Sequence, residues 1–562
     1  MLLILSPSLI SFTLTTTKST LFHQSIKPKK SELEFPQIVA MAEAVVSMAL
    51  ETLRDLLKEE QITMILLFSI TLPIILIFYL LHKTKTPPKT PHLPPGPPPL
   101  PLIGNLHHLA AAPNLHLYLH QLTKKYGPII HMKLGPIPLL VVSSPKLAKE
   151  VLKNQDSTFC SRPKSLGQQK LSYNNSDIIF SPYNEYCKEM RKITTIHLLS
   201  PKKVQSFRPI REDEISRMIS KIREASDENR AVNMSEMAIS LGINLICKIA
   251  FGKECPRRFD ELLEEVQAVA VAFYVSDYFP AFGWVDKLTG MIGRLDSAVK
   301  KMDSFYQELI DEHLDRKRVK EVEEEDGDVL DVLIQLKMQH KIPSIDFGWD
   351  NIKAILMDIF IAGAETSSSA IIWTMTALMK SPNNIKQKLQ NEIRSLVGEK
   401  GKVDEDDLPK LPYLRAVVNE SMRLYPPGPL LIPRETIERC TLEGYQIQPK
   451  TMVFVNAWAI ARDPEYWENP DEFVPERFLN SVKGKDFEFL PFGAGRRICP
   501  GMAMGLLNVE LTLANLLYSF DWGLPIGVQT DDVDTTPSPG LAMQKKTPLL
   551  VVPKNYMMFS SE

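Results

Sequence analysis

Apolar residues recur at three- and four-residue spacing through most of positions 145–420, which predicts a succession of helices. The longest spans residues 349–380 and is apolar nearly all round, as a helix buried on every side should be. It is expected to stop at Ser381-Pro382, because a residue before proline is pushed out of the helical region. Alternating β-branched residues broken by Gly and Pro predict strands and hairpins over residues 129–144 and 440–460. The pattern therefore implies a mainly α fold with a small β region. Ahead of it, residues 62–81 carry no charge, about the twenty positions a helix needs to cross a bilayer, despite Pro73.

The charges after that apolar stretch orient everything else. Lys83, Lys85 and Lys89 follow it, so the positive-inside rule places the remainder in the cytosol. Residues 82–105 are basic, then Pro-rich, and predict a stiff, extended hinge between an anchor at 62–81 and a globular domain at 106–562. With 562 residues, 44% of them hydrophobic and 23% charged, the chain has room for several domains, but no Pro-rich or low-complexity linker follows residue 101. One large domain is the simpler reading. Lys plus Arg (65) balances Asp plus Glu (67), which argues against nucleic acid as a partner. The cysteines, at positions 160, 187, 247, 255, 440 and 499, show neither a zinc spacing nor a disulfide framework, as suits a reducing compartment.

Residues 1–61 form an extension that the domain does not require. Positions 1–31 are rich in Ser and Thr and lack acidic residues, a composition shared by transit peptides and unstructured tails. Positions 41–61 have an amphipathic helical pattern that looks like the opening of the coiled-coil domain of plant leucine-rich-repeat immune receptors. The expectation is that residues 1–63 derive from an unusual transcript or gene model, with Met64 as the natural start.

Candidate chemistry concentrates at residues 491–502, PFGAGRRICPGM, where Phe492, Gly495, Arg497, Cys499 and Gly501 stand at the spacing FxxGxRxCxG. The apolar helical pattern that follows puts Cys499 at a helix entrance, where free N–H groups and the positive dipole end favour an anion, so its thiol is expected to have a lowered pKa. Gly495 and Gly501 permit close backbone approach, and Arg497 offers a planar fork for a carboxylate. Inside the long apolar helix, the run AGAETS at 362–367 is a local conflict: Gly363 weakens the helix, and Glu365 and Thr366 bring a carboxylate and a hydroxyl into an oily element. The plain alternative is a Thr bonded to its own helix and a Glu paired elsewhere. Further on, Glu420 and Arg423 share a helix face, and Pro-Glu-Arg-Phe follows at 475–478.

Together these motifs, in this order, resemble the haem-thiolate monooxygenases of the cytochrome P-450 superfamily, over roughly residues 94–556. The chain is most similar to plant microsomal members of the family-71 clan, notably the aldoxime-oxidising group, at GQQKLSY and near the C-terminal end. The resemblance implies haem b, with Cys499 as the axial iron ligand and Phe492, Gly495, Arg497 and Gly501 lining the haem. It implies that Arg191 and Arg434 reach the propionates, that Thr366 and Glu365 relay protons, and that Glu420, Arg423 and Arg477 brace the core. Cys187 and Lys188 depart from the usual propionate pattern, with Lys188 as a substitute point charge.

No flavin or nicotinamide fingerprint is present, so the resemblance implies NADPH electrons delivered by NADPH-cytochrome P-450 reductase at the endoplasmic-reticulum membrane, with O2 and a small apolar plant metabolite as substrates. Lys188, Lys192, Lys202, Lys203 and Arg496 are a candidate basic face for an acidic electron donor, and the acidic run 323–326 reads as a solvated loop. Two alternatives stay open. One is a haem-thiolate dehydratase or isomerase, marked by NADPH-independent turnover; the other is a membrane-tethered binding protein, marked by absence of bound haem.

Overall fold

The structure, a computed structural model, describes residues 92–110, 112–255, 259–317, 327–342, 345–479 and 487–556, with positions 47, 68, 69, 71–73 and 75 ahead of them. The chain divides into two units, Met1–Thr90 and Pro91–Glu562. In the first, the described residues around Phe68, Leu72 and Ile75 are helical and these three side chains are exposed. The rest of the 1–61 extension and of the 62–81 anchor, the basic part of the hinge and the acidic run 323–326 lie outside the described residues.

The second unit is mainly helical. Its longer helices are α1 (Leu115–Tyr126), α2 (Glu185–Ile193), α3 (Arg208–Asp227), α4 (Met234–Phe251), α5 (Phe259–Ala270), α6 (Met291–Lys317), α7 (Val329–Met338), α8 (Trp349–Lys380), α9 (Asn383–Val397), α10 (Pro412–Leu424) and α11 (Met502–Ser519). Helix α8 begins where the Asn351 side chain accepts the Gly348 N–H at 2.6 Å, and it ends at Ser381, held extended before Pro382 as the sequence requires. Helix α4 starts at an Asn233 cap and stops at Gly252, whose φ of 65° is the left-handed turn that glycine tolerates.

α4 and α8 cross at the centre. A Cβ on Gly242 would stand 2.6 Å from the carbonyl oxygen of Ala364, so only glycine lets the two backbones come this close. The Ser368 hydroxyl then lies between the helices, with its one proton in reach of Ala238 O at 2.9 Å and of Ala364 O at 2.7 Å. Among the described residues these are the helices long and apolar enough to cross a membrane, yet most of each is enclosed by the rest of the unit. Apolar residues of α4 to α8 form one core, including Phe251, Tyr306, Leu333 and Phe360. Those of α3, α8, α9, α10 and α11 form another, including Ile222, Met375, Leu389, Val417 and Leu513.

The small β region has three parts. Strands β1 (Ile129–Leu134) and β2 (Ile137–Val142) make the expected hairpin, and with β7 (Met452–Val455) and β4 (Arg434–Glu435) they form a sheet ordered β1-β2-β7-β4, with β2 and β7 parallel. Strand β3 (Val232–Asn233) pairs with β9 (Leu550–Asn555), which pairs with β8 (Phe520–Gly523); β5 (Cys440–Leu442) and β6 (Tyr445–Ile447) are a separate hairpin. The region expected to supply hairpins of one small sheet at 440–460 thus feeds two sheets.

The Pro-rich segment has no regular secondary structure over residues 92–99, turns at 101–103, and is stitched to β1. His131 N–H donates to Pro95 O at 2.9 Å, and the Asn105 amide donates to Pro97 O at 3.2 Å while its oxygen accepts the Lys133 N–H at 2.8 Å. Prolines lack N–H donors and leave their carbonyls open, so the run serves as an acceptor strip along the sheet.

Candidate active site

Cys499 lies three residues before α11, in a loop closed by its own N–H, which donates to Phe492 O at 3.0 Å. The preceding turn, Gly495–Arg497, is short and tight, and Ile498 N–H returns to Gly495 O at 3.0 Å. Gly495 has a φ of +72°, and a Cβ there would lie 2.1 Å from Leu152 O, so this glycine is required by contact with the protein's own chain rather than by a flat ligand. Gly501 is looser: a Cβ on it would meet the Cys499 sulfur at 3.9 Å. Phe492 is half-buried against the core shared by α10 and α11.

Cys499 is the exposed member of the six free cysteines. Its sulfur faces accessible space while protein surrounds it on most sides, and burial raises its thiol pKa against the opposing pull of the Gly501 N–H and the Arg191 guanidinium. This overturns the expected lowered pKa. At the helix entrance the Gly501 N–H acts on the sulfur, and desolvation outweighs it. A bound cation would deprotonate such a thiol outright.

α11 packs on α8 just beyond Thr366: a Cβ on Gly505 would stand 3.8 Å from the Ser367 hydroxyl. Here α8, buried before and after, opens a window in which Ala362 is exposed and Gly363, Glu365 and Thr366 are half-exposed or less. The Thr366 hydroxyl donates to Ala362 O at 2.7 Å, the plain back-bond to its own helix. Burial pushes the Glu365 carboxyl above the usual carboxylate range, against the pull of the facing Gln267 amide.

The arginines are placed differently from what their motif suggests. Three of the five Arg497 N–H groups go to main-chain carbonyls, donating to Cys160 O at 2.9 Å, Ile178 O at 3.1 Å and Ser181 O at 2.6 Å. Arg191 donates to Ile498 O at 2.7 Å, beside Cys499. Arg434 bonds Asp156 at 2.7 Å and Ala494 O at 2.9 Å. Sequence reasoning missed Arg162 and Asp156. Arg162 is buried and donates to Ile179 O, Ile432 O and Pro433 O at 2.7, 2.8 and 2.7 Å. Asp156 also accepts the Arg496 N–H at 2.7 Å. Burial followed by repulsion from Arg497 lowers the pKa of Arg162 and of Arg191; Arg434 is lowered by burial, with Arg497 opposing the help of Asp156.

Other expectations shift. Lys188 and Lys192 are taken by Glu185 and Glu189 at 2.6 and 3.3 Å, Arg496 by Asp156 at 3.3 Å, and Lys203 is buried with its ammonium on Gly327 O. The supposed basic face is thereby largely neutralised, and Lys188 is paired with the carboxylate of Glu185 on its own helix. Cys187 is wholly buried on α2, where an indole would overpack.

The brace is well defined. Arg423 holds Glu420 through two bonds of 2.8 Å, both side chains fully buried, and donates to Ala461 O, Pro470 O and Glu472 O. Arg477 closes on Glu420 at 3.4 Å.

The cytochrome P450 family pattern matches residues 94–552. The chain belongs to the cytochrome P450 family. It is 48% identical over 510 residues to 6,7,8-trihydroxycoumarin synthase of Pastinaca sativa, covering 88% of this chain and 98% of that one. Strychnine-11-hydroxylase of Strychnos nux-vomica is 45% identical, covering 87% and 97%, and cytochrome P450 71B37 of Arabidopsis thaliana 44%, covering 83% and 93%. Among solved structures, a zebra fish cytochrome P450 with abiraterone superimposes with a TM-score of 0.67 at 26% identity, covering 79% of this chain and all of that one.

Cytochromes P450 bind haem b and draw on NADPH through a reductase, and the residues present fit the haem. The sulfur of Cys499 is reachable, and the arginines around it outnumber their carboxylate partner Asp156, so the site carries the surplus positive charge that a dianionic macrocycle would neutralise.

Proposed function

We propose that this P450 is a membrane-anchored haem-thiolate monooxygenase of the endoplasmic reticulum that hydroxylates an aromatic, coumarin-like plant metabolite. Electrons come from NADPH through its reductase. The observation that carries the reading is the exposed Cys499 beside Arg191, at the entrance to helix α11, which packs on α8 next to the window at Ala362–Thr366. Two relatives whose names state coumarin products, 6,7,8-trihydroxycoumarin synthase and 5-OH-xanthotoxin synthase of Ammi majus, support the substrate class.

In this reading Cys499 would hold the haem iron through its sulfur, and haem would supply oxygen activation. Phe492 shields the sulfur side, and its carbonyl fixes the loop through the Cys499 N–H. Arg191, Arg434 and Arg497 form the cationic rim that receives the propionates. Arg497 spends three of its five N–H groups on main-chain carbonyls and Arg191 one on Ile498 O, so both keep donors for a carboxylate. Thr366 turns its hydroxyl proton from Ala362 O toward the window, and Glu365, kept protonatable by burial, resupplies it. Glu420, Arg423 and Arg477 hold the Cys499 side of the fold.

The test is the reduced carbon monoxide difference spectrum of residues 64–562 beside Cys499→Ala, followed by coumarin titration of the haem band. The expected result is a red-shifted band that the substitution abolishes, and a saturable coumarin shift. A haem spectrum without the red shift would sink the thiolate assignment; a thiolate spectrum indifferent to coumarins would sink the substrate class.

A further inference from the structure

Two carboxylic acids outside the site are buried together. Asp177 is 0% and Asp358 3% exposed. Asp358 sits in α8 one turn before Ala362, and Asp177 opens the loop 177–181. One oxygen of each is engaged: Asp358 Oδ2 accepts the Ile178 N–H at 2.8 Å, and Asp177 Oδ2 accepts the Phe180 N–H at 2.7 Å. The other oxygens, Asp177 Oδ1 and Asp358 Oδ1, are buried and make no regular hydrogen bond to a donor among the described residues; the two carboxyl groups face each other, and the Ile179 N–H also draws on that of Asp358. Two ionised carboxylates in hydrogen-bonding range cannot both persist in a buried site, whereas one proton between them turns the repulsion into a charge-assisted bond.

The surroundings decide where the proton resides. Arg162 faces Asp177 and favours its ionised form. Asp358 is opposed by Asp177 and bordered by the Tyr306 and Tyr186 hydroxyls, with Arg191 farther along the same side. Tyr306 Oη is buried and makes no hydrogen bond among the described residues.

We propose that Asp358 donates one shared proton to the Asp177 carboxylate, and that this bond is the latch that holds loop 177–181 on α8. The loop's carbonyls are what the arginines grip: Ile178 O and Ser181 O take Arg497, and Ile179 O takes Arg162. Asp177 and Asp358 are therefore positioning residues for the cationic rim around Cys499. The latch rests on the geometry of the loop; its effect on haem rests on the haem-thiolate reading.

Asp358→Asn separates the two. Its amide keeps an oxygen for the Ile178 N–H and offers a non-titrating N–H to Asp177, so the loop stays seated. The holoprotein should show the infrared carbonyl band of a protonated carboxylic acid at neutral pH, and both Asp358→Asn and Asp177→Asn should lose it. In Asp177→Asn the side-chain oxygen is kept by Phe180 N–H and the amide hydrogens face an ionised Asp358.

The sign of the pH effect follows. The folded chain retains a proton that the unfolded chain, with carboxyl groups near about 3.9, has released, so stability falls as pH rises. The wild-type melting midpoint should drop more steeply than that of Asp358→Asn between about pH 6 and about pH 9. Asp358→Ala should lose haem several-fold faster on dilution, and Asp358→Asn should match wild type. An acid band untouched by either Asn variant, or equal pH slopes, would overturn the shared proton. Equal haem loss in wild type and Asp358→Ala would overturn the positioning role. A wild-type spectrum without thiolate ligation would refute the site reading and leave the infrared result standing.

Discussion

The brace at Glu420 and the rim at Cys499 are both built from buried arginines, and they are satisfied in opposite ways. In the brace, one carboxylate faces two guanidinium groups, and main-chain carbonyls and the Val474 N–H complete the set. Around Cys499, Arg162, Arg191 and Arg497 rest on main-chain carbonyls, and Arg434 shares Asp156 with Arg496. Carbonyls satisfy hydrogen bonds without cancelling charge. The brace is left with a single positive charge in excess, while the rim keeps several, and the larger surplus is the one prepared for an anionic ligand.

The comparison breaks most readily at the brace. Arg423→Ala leaves Glu420 buried beside Arg477 alone, and should cost about 3–5 kcal/mol, read as loss of folded protein in thermal or urea melts. Arg434→Gln should behave otherwise. It relieves repulsion within the rim and leaves Asp156 with Arg496, so the haem-free protein should lose no more than about 2 kcal/mol. Haem affinity should fall about tenfold or more by titration. Equal destabilisation by the two substitutions would erase the distinction between brace and rim.

A smaller, pH-dependent effect is expected far from both. His313 Nδ1 faces Leu309 O at 2.7 Å and Nε2 faces Asp328 at 2.9 Å, so both ring nitrogens must carry hydrogen. Burial is the largest single influence and works against the charged ring, but the bond and charge of Asp328, with the Leu309 carbonyl and Asp331, together outweigh it and raise the pKa. The stability gained is fully present below the unfolded value of about 6.5 and is lost as pH rises through the folded one. The stability gap between wild type and His313→Gln should be about 1.5 kcal/mol in mild acid and narrow toward alkaline pH, as urea melts would show. Lys146→Ala marks the floor: its pair with Glu443 is 71% and 39% exposed, and its loss should change stability by no more than about 0.5 kcal/mol.

Much of this was legible in the residues. The limits of α8, the hairpin at 129–142 and the loop around Cys499 follow from local rules of periodicity, turn chemistry and spacing, which a linear chain carries explicitly. The rim was not, because its terms are long-range: Asp156 meets Arg434 across 278 positions, and Arg162 meets Pro433 across 271. Nothing local distinguishes Lys203, which is buried, from its neighbour Lys202. The thiol of Cys499 was misjudged for a related reason. Proximity to a helix start is visible in sequence, while the mass of protein that desolvates the sulfur is not.

Helix α8 runs unbroken through Asp358, Ala362, Thr366, Ser368 and Trp373, whose indole donates to Met543 O. It therefore works as a ruler whose graduations are the helical rise and turn. A single residue inserted between Asp358 and Thr366 would rotate everything beyond it by about 100° and advance it by about 1.5 Å. Thr366 would turn away from the window, Ser368 from Ala238 and Trp373 from its carbonyl, all in one event. Substitutions along this helix fail one at a time, whereas a change of length fails together, so this stretch should tolerate new side chains far more readily than a new number of them.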